Sequence, residues 1–68
     1  MKVYLNKVTK FVNDYHRGRY PGQRLGQAFV NEFLTDIRGE ETQELFYTND
    51  KKATSIIFEN FTTLDEEN

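Results

Sequence analysis

Asp14 and His16, followed by Arg17, Arg19 and Arg24, are the densest set of groups in the chain able to do chemistry. A general base needs a carboxylate or imidazole held in a cleft beside its proton donor, and a nucleophile needs a base at hydrogen-bond distance. Asp14 and His16 instead fall where a helical pattern ends and a loop begins. A histidine there typically meets solvent or the negative end of the helix dipole. The chain has one His and no Cys, so a zinc site would rest on carboxylates. No Gly-rich phosphate loop follows a strand, no metal-ligand spacing occurs, and no Ser-His-Asp set can be assembled without His16. The expectation is a protein that is not an enzyme, with no cofactor and no metal.

Binding chemistry is better represented. His16, Arg17, Arg19, Tyr20 and Arg24 place three guanidiniums and two rings in a short stretch. Arginine grips phosphate or carboxylate with a bidentate fork, and aromatic rings stack on bases. The loop therefore suits a nucleic-acid backbone or an acidic protein surface, against the plain alternative of a solvated loop paired with acids elsewhere in the chain. A net charge of -2 supplies few phosphate contacts, so nucleic acid ranks behind a protein partner. Arg24, Gln27 and Asn31 recur at i, i+3 and i+7, a stripe of planar hydrogen-bonding groups that is either a solvated helix face or a docking surface. Phe46 is expected to close the core, while Tyr47 divides evenly between core and anchor. The candidate partner-binding residues are Arg17, Arg19, Tyr20, Arg24, Gln27, Asn31 and Tyr47.

The elements that must position these groups are limited by size. Sixty-eight residues make one helical domain, expected over residues 1–64, with a frayed acidic tail at 65–68. Area scaling leaves about 4,500 Å² exposed of roughly 11,700 Å² in the extended chain, a thin core. Ten aromatics, 15% of the residues, supply much of what can be buried. No apolar run is long enough for a membrane span, and no leader sequence is expected.

Tyr4, Leu5, Val8, Phe11, Val12 and Tyr15 follow helical spacing and predict a first helix from about Lys2 or Tyr4 to Tyr15. Gly18 and Pro21-Gly22 then break the pattern, and Pro-Gly suits the centre of a type II turn. Leu25, Phe29, Val30, Phe33, Leu34 and Ile37 predict a second helix from about Gln23 to Arg38, with Gly39 as its C-cap. Gly26 falls inside the apolar arc, where its use is to let another backbone or ring come close. Glu40 to Glu44 is expected to be a solvated connection, and Leu45-Phe46-Tyr47 is too short to classify. Thr48-Asn49-Asp50 offers capping groups ahead of Ala53, Ile56, Ile57, Phe61 and Leu64, which predict a third helix from about Asp50 to Phe61. Ile56-Ile57-Phe58 also suits a strand, but it sits inside a capped, helix-spaced segment. The expected architecture is all-α, a compact three-helix bundle with a short Leu-Phe-Tyr connection before the last helix.

Charge divides unevenly along this pattern. From Met1 to Asn31 the balance is +5, and from Glu32 to Asn68 it is -7. Packing of oppositely charged helices inside one monomer is expected to absorb most of this, ahead of partner steering or head-to-tail self-association.

Arg24-Leu25-Gly26-Gln27-Ala28-Phe29-Val30-Asn31, with Leu45-Phe46-Tyr47-Thr48-Asn49-Asp50 after it, resembles a group of short proteins of tailed bacteriophages and prophages. These share an Arg-x-Gly-Gln-x-x-x-Asn segment, a Phe-Tyr-x-x-Asp segment and a final amphipathic helix. The similarity spans roughly residues 11 to 61, and Pro21 before the arginine fits it. It implies a viral origin and an accessory role in the host bacterial cytoplasm, but no activity. It also implies that Gly26, Gln27, Asn31 and Asp50 share a structural task such as helix contact or capping. The expected function is a small non-catalytic binding protein that engages a host protein or a host defence component. The alternatives are a nucleic-acid-binding regulator using the second helix and the basic loop 16–24, and a self-assembling structural protein. Homo-oligomers are open on either count, and no membrane partner is expected.

Overall fold

Residues 2–35 and 39–64 are described by the structure, a computed structural model. In chain order they form β1 (Val3–Tyr4), α1 (Leu5–His16), α2 (Leu25–Phe33), α3 (Glu40–Tyr47), α4 (Asp50–Asn60) and β2 (Thr62–Thr63). The protein is mostly helical, as its periodicity requires. Its described residues hold four helices, however, and the expected three-helix bundle is corrected accordingly.

The additional helix is α3, which joins the stretch Glu40 to Glu44, expected to be a solvated connection, with the unclassified Leu45-Phe46-Tyr47. Thr42 and Leu45 are buried, and the Thr42 hydroxyl donates to the Gly39 carbonyl at 2.9 Å while the Gln43 amide donates to it at 3.0 Å. Packing of one apolar edge against α2 thus outweighs the acidic composition. Gly39 starts α3 rather than ending α2, and its φ of 165° is extended backbone, not the left-handed C-cap expected. The second helix ends at Phe33 with its C-cap at Leu34, short of the expected Arg38, and Asp36 to Arg38 lie outside the described residues. Its start also moves, because Arg24 is extended and helical geometry begins at Leu25.

At the other end, Val3 and Tyr4 are strand rather than helix. They pair in parallel with β2, Val3 opposite Thr62 and Tyr4 opposite Thr63, and the Val3 amide donates to the Phe61 carbonyl at 2.8 Å. The β-branched Val3 is buried there. Leu64, expected on the last apolar stripe, lies beyond β2 and is 77% exposed. Ile56, Ile57 and Phe58 are helical, as the capped segment predicts. The cap is Asn49, whose side chain accepts from the Lys52 amide at 2.8 Å. Asn49→Ala is expected to cost about 1 kcal/mol in urea unfolding, with Asn49→Asp nearly silent.

Val8 and Phe11 of α1, Leu25, Ala28 and Phe29 of α2, Leu45 of α3, Ala53 and Ile57 of α4, and Phe61 make one core. Phe11 is its ring hub, with centroids of Tyr20, Phe29 and Phe33 at 5.2, 5.4 and 5.8 Å. The core remains thin: 4982 Å² of surface is exposed, somewhat above the value expected for the mass. The tail expected at 65–68 lies outside the described residues.

Candidate functional site

The loop between α1 and α2 forms as its glycines dictate. Gly18 has φ +90° and Gly22 φ +79°, and the Gln23 amide reaches the Tyr20 carbonyl at 3.3 Å, the expected turn around Pro21-Gly22. Arg17 and Arg19 are exposed on this loop, and the Arg19 amide bonds the Asp14 carbonyl at 3.1 Å. Tyr20 is half-buried between Phe11 and Tyr15, so its ring closes the core, and burial raises its phenol pKa.

Asp14 and His16 are not assembled as an acid–base pair. The Asp14 carboxylate is taken by Lys10 at 2.9 Å, and this hydrogen bond lowers its pKa. His16 is exposed and meets the edge of Tyr15 with centroids 5.7 Å apart.

A second cluster, unforeseen as a whole, joins three helices at the start of α2. Asp50, the first residue of α4, accepts from the Leu25 amide at 2.9 Å through Oδ1 and from the Tyr15 hydroxyl at 3.0 Å through Oδ2. The Tyr15 hydroxyl also lies 2.8 Å from the Gln23 carbonyl, so two acceptors share one proton. Desolvation, followed by the hydrogen bond to Asp50, raises the Tyr15 pKa above its ordinary 10.0. An acid in the Asn49-Asp50 capping pair was legible from the sequence. That it also caps a different helix was not, since Leu25 is 25 positions away.

The candidate binding residues separate into two groups. Arg17 and Arg19 lie on the loop. Arg24 caps α2, Gln27 and Asn31 lie along it, and Asn31 borders an open cleft of about 390 Å³ between α2 and α3. Val30, Asn31 and Leu34 line it from α2, and Thr42, Phe46 and Tyr47 from α3. Tyr47 is 70% exposed at the end nearest Arg24, whose Nη1 lies 3.4 Å from the Tyr47 carbonyl. Asn31 Nδ2 donates to Gln23 Oε1 at 3.1 Å. Phe46 is half-buried with its ring 5.1 Å from that of Tyr47, so it is part wall of the cleft and part core closure. The polar stripe and Tyr47 therefore share one face, through α3, which spacing alone did not reveal.

Electrostatics reinforce that face. Among the described residues the ion pairs are Lys10–Asp14 and Lys52–Glu44. Each lies within one half of the chain, so no ion pair among the described residues joins the basic and acidic halves. Arg17, Arg19 and Arg24 keep guanidinium donors for other groups. The described residues contain no cluster of three or more acids or histidines able to hold a metal, and no helix long and apolar enough to cross a membrane. Comparison with protein-family models, curated proteins and solved structures gives no match.

Proposed function

We propose that the chain is a small, non-catalytic binding protein, a phage accessory factor acting in the cytoplasm of an infected bacterium by engaging a host protein or defence component. The observation that carries this is that Asn31 and exposed Tyr47 line one cleft, with Arg24 bonded to the Tyr47 carbonyl at its end and Gln27 one turn before Asn31 on α2. Interfaces draw their energy from a few aromatic and arginine anchors that are desolvated on binding, and this face offers Tyr47 and Arg24 beside an open cleft. Arg17, Arg19 and Arg24, which make no ion pair among the described residues, steer an acidic partner surface toward it.

Affinity capture from bacterial lysate with the wild-type chain and an Arg24/Gln27/Asn31 triple-alanine variant tests the assignment. The wild type is expected to retain a host protein that the variant loses at least tenfold. Identical prey for both would remove this face from the binding function. Since these side chains lie outside the buried core, the variant should keep its helical circular dichroism.

A further inference from the structure

We infer that the α2–α3 face is also a homodimer interface: a second copy of the chain occupies it, and a host partner must displace that copy to bind. This rests on the assignment of partner binding to the same face and adds a regulation to it.

Three properties make the face complementary to itself. Its shape pairs a projecting ring with an uncovered end of the cleft. α2 and α3 run antiparallel, since Gly26 meets Leu45 and Arg24 reaches Tyr47, while Thr35 and Gly39 share the far end of the cleft. Tyr47 projects at one end, and at the other a side-chain atom built on Gly39 would meet nothing within 4 Å. A two-fold axis in the plane of the face, running across the helices, reverses the ends and brings the Tyr47 ring of each copy over the Gly39 end of the other.

Charge obeys the same operation. Arg24 stands at the Tyr47 end and exposed Glu40 at the Gly39 end, and neither makes an ion pair among the described residues. Reversal sets each guanidinium beside the carboxylate of the other copy, whereas alignment without reversal would crowd like charges. Near the axis, the amides of Asn31 and Gln43 each carry both a donor and an acceptor, so identical groups can pair there.

Sedimentation equilibrium of the full chain over a wide concentration range tests this. The mass is expected to rise from 8.1 kDa toward twice that value, more readily at low salt. Arg24→Glu and Glu40→Arg should each weaken association about tenfold, because each reversal acts twice in a symmetric dimer, and the double variant should recover most of the loss. Tyr47→Ala should also weaken it while leaving the helical signal intact. A mass of 8.1 kDa at every concentration overturns the inference, as does a dimer indifferent to the reversals or growth beyond the dimer. Glu40 lies outside the stripe used for host capture, so the two assignments fail separately. A monomer that still loses prey on triple-alanine substitution sinks only the dimer, and a reversible dimer with unchanged prey sinks only the host-binding assignment.

Discussion

Replacing Gly26 by alanine is expected to destabilise the protein by about 2 kcal/mol, although alanine is the better helix former. In an exposed helix the substitution would gain about 1 kcal/mol from propensity. Here a Cβ would collide with the Leu45 carbonyl oxygen and lie 3.0 Å from its carbonyl carbon and 3.2 Å from Leu45 Cδ1. Two of these three atoms are backbone, so no rotamer change relieves the clash and α3 must move away from α2. For a domain of this size the melting temperature should fall by about 10 °C. Gly39→Ala is the matched control, since its backbone is extended and its surroundings open, and it should be neutral within about 0.5 kcal/mol. Thermal unfolding that ranks Gly26→Ala at or above wild type would contradict the close approach of the two helices.

Removing the Asp50 carboxylate is expected to cost about 2–3 kcal/mol in Asp50→Ala. The part-buried Leu25 amide loses its acceptor, and Tyr15 loses one of two. Asp50→Asn keeps an oxygen for Leu25 and should recover about half of the loss, as read from urea unfolding and from hydrogen exchange at the Leu25 amide. Equal stability of the alanine variant and wild type would deny this carboxylate its role. The same cluster sets an alkaline limit. The neutral phenol of Tyr15 is favoured in the fold, so its contribution is fully present below the unfolded value of 10.0 and is lost as pH climbs through the raised folded value. Tyr15→Phe should flatten this part of the stability profile.

Local signals in the sequence were sufficient for α1, the Gly18 and Pro21-Gly22 loop, and α4 with its cap, because each rests on neighbours a few positions apart. They were insufficient wherever a distant group decided the outcome. Glu40 to Glu44 reads as solvated from its acids and Leu45-Phe46-Tyr47 is too short to classify, and only burial of Thr42 and Leu45 makes the whole stretch a helix. Thr42, Leu45 and Phe46, at i, i+3 and i+4, were the available trace of that face. Val3 reads as helix by continuity with Leu5, but its partner is Thr62. The candidate site shows the same division. The stripe Arg24, Gln27 and Asn31 is a local pattern and was found, whereas the cleft beside it depends on where α3 docks. Gly26 joined the two levels, since a glycine amid apolar neighbours announced a close approach without naming Leu45.

The short ladder between β1 and β2 has a kinetic meaning. Val3 and Thr62 are 59 positions apart, so bringing them together from a free chain costs roughly 3.6 kcal/mol of closure entropy, about what so few hydrogen bonds can return. The ladder cannot nucleate anything. It closes only after the helices have shortened the intervening path, which makes it the final latch of folding and the first contact to open. Exchange of the Val3 amide proton, held by the Phe61 carbonyl, therefore measures how often this latch opens while the helices stay folded.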